Sequence, residues 1–113
     1  MPLQIKSKFW IEDEMGRPVF GQGRRIILEK IDELGSIRAA AAALKMSYRA
    51  VWGKIKSAEE RLGIKLVETT PGGGKSRGAR LTPEARDFLR MFQQLHDRGN
   101  TQADRLFKKV FKT

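Results

Sequence analysis

The side chains best suited to chemistry in this 113-residue chain are basic, and they concentrate in its middle third. Residues 36–82 carry ten basic and three acidic groups, a net charge of +7, whereas residues 1–35 are neutral and residues 83–113 carry +3. A charge that served only solubility would have no reason to concentrate in one segment. We therefore expect one positive face and a polyanionic partner.

The residues from 47 to 56 suit contact with double-stranded DNA. Arg49 can bond guanine through two hydrogen bonds, Ala50 can contact a thymine methyl group, and Lys56 is placed for a phosphate. Gly53 leaves the same face without a side chain, which permits close approach to the duplex.

Tyr48 and Trp52 lie one helical turn apart and admit two interpretations. They could contact sugar and phosphate groups, or they could shield the edge of the core. We expect Tyr48 to face DNA and Trp52 to be mainly structural. The Phe9-Trp10 pair is expected in the core, and His96 is expected to be solvated on a helix rather than to act as a ligand.

Two short predicted helices position these side chains. Ser36 can cap the first helix, which is predicted to stop near residues 45–46. Ser47 can cap the second, predicted over residues 48–62 and ended by Gly63. Two such helices joined by a turn of three or four residues predict a helix-turn-helix, whose second helix places its N-terminal residues in the major groove of DNA.

A glycine-rich hairpin is predicted directly after the second helix. Residues 64–68 and 79–81 read as strands, and the loop between them carries Lys75 and Arg77. These two cations could lie along the DNA backbone or enter the minor groove. The hairpin makes the predicted helix-turn-helix winged.

The N-terminal third is predicted to supply strands and one helix. Residues 3–11 begin with alternating apolar and polar side chains, typical of a half-buried strand, and residues 19 and 20 could return as a second strand. A helix then opens at Gly21 and Gly23 and ends before Gly35.

The C-terminal third is predicted to be helical. Thr82-Pro83-Glu84 reads as a helix start, with a cap, a proline at the first position and an acid for the dipole. Gly99-Asn100 followed by a new cap at Thr101 favours a kink or break there. Large apolar side chains at 88–95 and 103–111 exceed what one small domain can cover, which predicts a twofold dimer.

The predicted fold class is mainly α with a small β hairpin: a winged helix-turn-helix with a C-terminal dimerisation helix. We divide the chain into residues 1–82, a winged helix-turn-helix DNA-binding region, and residues 83–113, a C-terminal helical dimerisation segment, within a single domain overall.

Several function classes are not expected. The chain has no cysteine, one histidine and no carboxylate cluster, so we expect no metal site and no cofactor. Gly74-Lys75-Ser76 resembles part of a P-loop, but Thr69 stands where that motif needs glycine. The absence of a nucleophile–base pair argues against an enzyme. The longest apolar run, residues 39–44, and the N-terminus argue against a membrane span or a signal peptide, so we expect a cytoplasmic, nucleoid-associated protein.

The segment from Gly35-Ser36-Ile37 to Leu66-Val67-Glu68 resembles the helix-turn-helix of LysR-type regulators. Other motifs are more similar to the DNA-binding domain of the ModE family, the molybdate-responsive transcription regulators. These motifs are Ser47-Tyr48-Arg49 with Trp52, the wing from Gly72 to Thr82, and the leading segment from Phe9-Trp10 to Gly21. The resemblance covers roughly residues 5–98.

This resemblance implies a winged-helix dimer in which helices flanking the DNA reader pair two subunits. Full-length ModE-family members add C-terminal molybdate-binding domains. Because the chain stops at Thr113, we expect no such domain here and do not carry molybdate sensing over.

The sequence favours a sequence-specific double-stranded DNA-binding transcription regulator that acts as a homodimer. A non-specific architectural DNA binder keeps the same fold. In a third interpretation residues 101–111 dock a partner, such as a separate sensor protein, and in a fourth the basic residues 105–112 meet a membrane surface, although no membrane partner is expected. The predicted DNA-binding residues are Ser36, Arg38, Ser47, Tyr48, Arg49, Trp52, Lys56, Lys75, Ser76, Arg77 and Arg80.

Overall fold

The computed structural model describes residues 3–70 and 78–112. Within them it has four helices and two small antiparallel hairpins, which confirms the predicted fold class of a mainly α winged helix-turn-helix. In chain order the elements are β1 (Ile11–Glu12), β2 (Pro18–Phe20), α1 (Gln22–Leu34), α2 (Ile37–Ala43), α3 (Tyr48–Leu62), β3 (Val67–Thr70), β4 (Gly78–Leu81) and α4 (Pro83–Phe111).

The first hairpin is much shorter than predicted. Only Ile11–Glu12 forms β1, and the strand predicted over residues 3–11 is wrong for residues 3–10. β2 has three residues, begins at a proline and runs straight into the Gly21 cap of α1, so it offers no further length to pair with. The preceding segment instead lies against α4, where Ser7 bonds Asn100.

α1 and the helix-turn-helix form as their capping residues predict. Gly35 ends α1 in the left-handed conformation, and its amide donates to the carbonyl of Ile31. The Ser36 hydroxyl accepts from the amide of Ala39 at the start of α2. The Ser47 hydroxyl accepts from the amide of Ala50 at the start of α3.

The turn between α2 and α3 has four residues, 44–47, and α2 ends earlier than predicted, at Ala43. Lys45 adopts a left-handed conformation with φ of 56°. The amides of Lys45 and Met46 donate back to the carbonyls of Ala42 and Ala41. These two backbone hydrogen bonds satisfy carbonyls of the last turn of α2, end the helix and direct the chain into α3.

The first wing strand lies later in the chain than predicted, whereas the second begins one residue earlier, at Gly78. β3 covers Val67–Thr70 and pairs with β4 from Val67↔Leu81 to Thr70↔Gly78. Residues 64–66 are not part of a strand, because the Leu66 amide bonds Glu59 of α3 rather than a neighbouring strand. The Ala79 amide donates to the Gly35 carbonyl over 2.9 Å, which ties β4 to the end of α1.

One hydrophobic core joins α1, α2, α3 and the wing strands to the first half of α4. Phe20 of β2 contacts Phe88 and Phe92 of α4 edge to face, with ring centroids 4.8 and 5.1 Å away. The fully or nearly fully buried side chains include Phe20, Ile27, Leu28, Ile31, Ala40, Val51, Ile55, Leu66, Ala85 and Phe92.

α4 is continuous over 29 residues, about 43 Å, so the predicted break at Gly99 is wrong. Thr82 caps its start through the Ala85 amide, as predicted. Thr101 does not recap a new helix, because its hydroxyl donates to the Asp97 carbonyl one turn earlier. One glycine costs a helix about 1 kcal/mol, which the surrounding turns can absorb.

Three aromatic positions differ from expectation. Trp10 is 54% exposed, not core, and its indole N–H bonds Glu12. Phe9 is half-buried because its ring lies on α4 rather than in the main core. His96 is also half-buried instead of solvated, because the Phe9 ring packs edge-on against it and Asn100 bonds its Nδ1.

Candidate nucleic-acid interface

The N-terminal turn of α3 is the most open part of the helix-turn-helix. Tyr48, Arg49 and Ala50 are exposed, while Val51 and Ile55 bury the opposite face. Within residues 3–70 and 78–112, Arg49 forms no ion pair with another residue. The guanidinium therefore meets solvent with its hydrogen-bond donors available to a ligand.

Two cations and two aromatic rings form a continuous row across α2 and α3, which we call the stacked row: Arg38, Tyr48, Trp52 and Lys56. The Arg38 guanidinium lies 5.6 Å from the Tyr48 ring centroid. The Tyr48 and Trp52 rings are nearly parallel, with centroids 6.4 Å apart. The Lys56 ammonium lies 4.3 Å from the Trp52 centroid. Cation–π contacts hold both charges over the rings and orient them on one surface.

The two aromatic residues of the stacked row differ in burial. Tyr48 is 44% exposed, whereas Trp52 is half-buried and packs against the core. Tyr48 is therefore accessible to a ligand, whereas Trp52 contributes to the core. Lys56 also pairs with Glu59 at 3.1 Å, so a phosphate would have to compete with that carboxylate for its charge.

The remaining predicted contacts have separate positions. Ser36 and Ser47 use a hydroxyl lone pair for capping and keep their hydroxyl hydrogen for another acceptor. Arg80 is exposed on β4 and pairs across the wing with Glu68 at 3.1 Å. Lys75, Ser76 and Arg77 lie outside the described residues.

Sequence reasoning missed two basic residues near this surface. Lys45 is exposed in the turn between α2 and α3, and its charge there is the signal that could have identified it. Arg24 of α1 donates to the Lys54 carbonyl and the Ser57 hydroxyl. These two hydrogen bonds attach α1 to α3. Burial, together with the positive charge of Arg61, lowers the pKa of the Arg24 guanidinium. No spacing in the sequence indicates this contact.

Glu59 fixes the wing to α3. Its Oε2 accepts from the amides of Leu66 and Val67 over 2.7 and 3.2 Å. Partial burial acts to raise the pKa of Glu59, but the two amides and the Lys56 ammonium outweigh it and lower the pKa below its ordinary value. The ionised carboxylate therefore stabilises the join between α3 and β3.

Glu59→Gln is expected to lower the unfolding free energy by about 2 kcal/mol at pH 7, because a neutral amide replaces a charged acceptor of two backbone bonds. Since folding lowers the pKa of Glu59, its contribution is present above the unfolded pKa and is lost as pH falls through the folded value. Urea unfolding from pH 7 to pH 3 measures this effect. The unfolding free energies of the variant and the wild type should become equal in acid.

Glu60→Gln is the matched control for this prediction, because Glu60 is the exposed neighbour on the same helix. It should change the unfolding free energy by less than about 0.5 kcal/mol at any pH. A gap between wild type and Glu59→Gln that stayed constant down to pH 3 would contradict the proposed role of the charge.

Two features are absent from residues 3–70 and 78–112. No group of three or more His, Cys, Asp and Glu side chains lies close enough to hold a metal ion in this part of the chain. No helix among the same residues combines the length and the apolar character that crossing a bilayer requires.

Relatives share both the sequence pattern and the fold. The chain is 36% identical over 73 residues to the molybdenum transport protein ModE of Herbaspirillum seropedicae, covering 65% of this chain and 27% of that protein. It is 31% identical over 84 residues to the protein of the same name from Azotobacter vinelandii, covering 74% and 31%. These matches confirm the resemblance to ModE regulators. The chain spans less than a third of the length of these relatives.

A crystal structure of the CbnR DNA-binding domain in complex with DNA has the same fold. Its TM-score is 0.56 at 23% identity, and the match covers 78% of this chain and 95% of that one. Residues 24–86, more than half of the chain, match the model for bacterial regulatory helix-turn-helix proteins of the lysR family. The chain therefore belongs to the lysR family of bacterial regulatory helix-turn-helix proteins.

Proposed function

We propose that the chain is a sequence-specific double-stranded DNA-binding transcription regulator that acts as a homodimer. The observation that carries this proposal is the exposed N-terminal turn of α3, where Arg49 is exposed, as are Arg38 of α2 and Lys45 of the connecting turn. An α-helix fits the major groove, and its N-terminal side chains reach base edges. The match to the lysR-family regulatory helix-turn-helix and the DNA complex of the CbnR domain agree with a DNA-binding role.

The proposed contacts divide into base readers and backbone contacts. Arg49 bonds a guanine, and Gly53, with no atom within 4 Å of a methyl group added there, leaves room for the groove wall. Arg38 and Lys56 meet phosphates, with Tyr48 between them against the sugar–phosphate backbone. The other proposed DNA-binding residues, on α2, α3 and the wing, are Ser36, Ser47, Trp52, Lys75, Ser76, Arg77 and Arg80.

The proposed dimer uses the large apolar side chains that α4 leaves exposed. Met91, Leu95, Leu106, Val110 and Phe111 are 48–64% exposed along this helix. So many large apolar side chains on one helix mark an interaction surface, and a second copy of α4 would cover them. In this proposal residues 1–82 bind DNA and residues 83–113 form the dimerisation segment.

The proposal places the protein in the cytoplasm on the nucleoid, with no enzymatic activity and no cofactor. The alternative partner for residues 101–111 is a separate sensor protein, which would cover the exposed Leu106, Val110 and Phe111. The rival function, a non-specific architectural DNA binder, differs in the ratio of specific to non-specific affinity.

Arg49→Ala tests the proposed base contact. Loss of a bidentate contact with guanine should cost about 1–3 kcal/mol of operator affinity and relax the base preference at one position of each half-site. The measurement is competition binding against duplexes that carry each of the four base pairs at every position.

Lys75→Ala and Arg77→Ala are the comparison variants, proposed to contact phosphate. Each should weaken binding to all duplexes alike. Each should also make the slope of log affinity against log salt concentration shallower by about one unit per subunit. An Arg49→Ala protein that lost affinity equally for every duplex would place Arg49 among the backbone contacts instead.

A further inference from the structure

The N-terminal segment of residues 7–10, which we call the strap, crosses the middle of α4. The Ser7 hydroxyl donates to Asn100 Oδ1. The half-buried Phe9 ring meets His96 edge to face, with ring centroids 6.4 Å apart. Asn100 in turn lies 3.2 Å from Nδ1 of His96. The strap is therefore attached to α4 by one ring and a short polar network.

Gly99 is the residue that allows this contact. A methyl group built on Gly99 would lie 2.7 Å from Cζ and 2.8 Å from Cε2 of Phe9. Those distances are shorter than carbon atoms tolerate, so any side chain at this position would displace the ring. A glycine therefore stands inside this continuous helix because a residue without a side chain leaves room for the Phe9 ring.

The strap is anchored at its other end as well. Trp10 lies so close to Gly21 that a methyl group there would be 3.1 Å from the Trp10 Cβ. β1 follows at once and pairs with β2. Phe20 of β2 then packs on Phe88 and Phe92 of α4. The strap and hairpin thus hold α4 at two levels, near residues 88–92 and near residues 96–100.

Beyond the strap, α4 extends away from the rest of the chain. Among residues 101–112 only Ala103 and Phe107 are half-buried, and the others are exposed. The longest dimension of the molecule is 61 Å, twice the next one of 30 Å. Within the described residues, Ser7–Asn100 is the last hydrogen bond along α4 to a distant part of the chain, one residue beyond the Phe9–Gly99 contact.

We propose that the strap is a positioning element, in which Phe9 seated on Gly99 fixes the path of α4 relative to the helix-turn-helix. This inference rests on the proposed dimer, in which α4 joins two DNA-binding units. In that dimer the direction of α4 sets the distance between the two α3 helices. The strap therefore determines which spacing of DNA half-sites the protein prefers, although neither Phe9 nor Gly99 touches DNA.

The contact itself is tested by a cycle of Gly99→Ala and Phe9→Ala, read by urea unfolding of the DNA-free protein. Helix propensity alone makes Gly→Ala in a helix lower the unfolding equilibrium constant about fivefold. We expect Gly99→Ala to stabilise the Phe9→Ala protein by that factor. In the wild-type background it should give no stabilisation or should destabilise the protein. Gly53→Ala is the control, because nothing lies within 4 Å of its added methyl group, and it should give the gain in both backgrounds.

If Gly99→Ala stabilised both backgrounds equally, the two effects would be additive. That result would overturn the proposed contact between Phe9 and Gly99. Phe9→Leu provides a second background in case the alanine variant folds poorly, because it keeps an apolar side chain but not the ring. Gly99→Ala should stabilise the Phe9→Leu protein against urea more than it stabilises the wild type.

The positioning role is tested with duplexes in which two copies of the selected half-site are separated by different numbers of base pairs. The wild type should prefer one spacing, and Phe9→Leu should bind all spacings with affinities within about threefold of one another while its affinity for a single half-site is unchanged. An unchanged spacing preference would overturn the positioning role. A wild-type protein that is monomeric on DNA and has no spacing preference would refute the dimer, whereas the unfolding cycle would still report on the contact.

Discussion

Raising the salt concentration from 50 to 200 mM is expected to lower the affinity for an operator duplex by about 10⁴- to 10⁶-fold. Each subunit presents Arg38, Lys45, Arg49 and Lys56 on the helix-turn-helix, and the wing adds further cations. About 8–12 phosphates neutralised by a dimer give a log–log slope of about −7 to −11, because condensed counterions are released on binding.

The measurement is equilibrium binding by fluorescence anisotropy at five or more salt concentrations. Arg38→Gln should flatten the slope by about two units per dimer, one for each subunit. Arg17→Gln is the control, because Arg17 pairs with Asp13 in the turn between β1 and β2 rather than on α2 or α3, and it should leave the slope unchanged. A wild-type slope shallower than about −3 would exclude a dimer that binds the DNA backbone through this surface.

Leu106→Glu is expected to convert the proposed dimer to a monomer and to lower affinity for a two-half-site operator by about 10²- to 10⁴-fold, the gain that linking two binding units usually provides. Leu106 is 60% exposed in the part of α4 beyond the core, so a carboxylate there should not disturb the fold of one chain. In the dimer the same carboxylate would be buried without a partner, which is costly.

Size-exclusion chromatography with light scattering reports the oligomeric state, and circular dichroism checks the fold. Thr101→Glu introduces the same charge at another exposed position of α4 and should remain dimeric. A Leu106→Glu protein that stayed dimeric, or a wild type that was monomeric at tens of micromolar both free and on DNA, would contradict the proposed interface.

Local capping chemistry explains why the helix-turn-helix was predictable. Ser36, Ser47 and Thr82 each accept the amide hydrogen bond that their position predicts, and Gly35 and Gly63 end their helices in the left-handed conformation. These signals act within a few residues, so a sequence displays them directly.

The elements that were predicted wrongly depend on distant contacts. The alternation in residues 3–10 resembles a strand, but the segment packs on a helix 90 residues away. Gly99 resembles a helix terminus, yet it accommodates Phe9. β3 starts at Val67 rather than at residue 64, and the Leu66 amide just before it bonds Glu59 of α3. None of these partners is visible from local spacing.

The candidate site was predictable in its residue types more than in its contacts. The exposure of Arg49 follows from the buried stripe of Val51, Ile55 and Ala58 on the opposite face of α3, and Tyr48 lies beside that stripe. The stacked row and the Lys56–Glu59 ion pair depend on rotamers and on α2 packing beside α3, which a helical pattern does not specify.

Selection of bound duplexes from a random DNA library tests sequence-specific recognition by a dimer most directly. The wild-type protein should enrich an inverted repeat whose half-site centres lie about one helical turn, 34 Å, apart, because a twofold dimer presents two α3 helices to one face of DNA. Each half-site should contain a guanine whose enrichment disappears in a parallel selection with Arg49→Ala. Recovery of sequences with no shared motif, or of a single unrepeated site, would contradict specific recognition by a symmetric dimer.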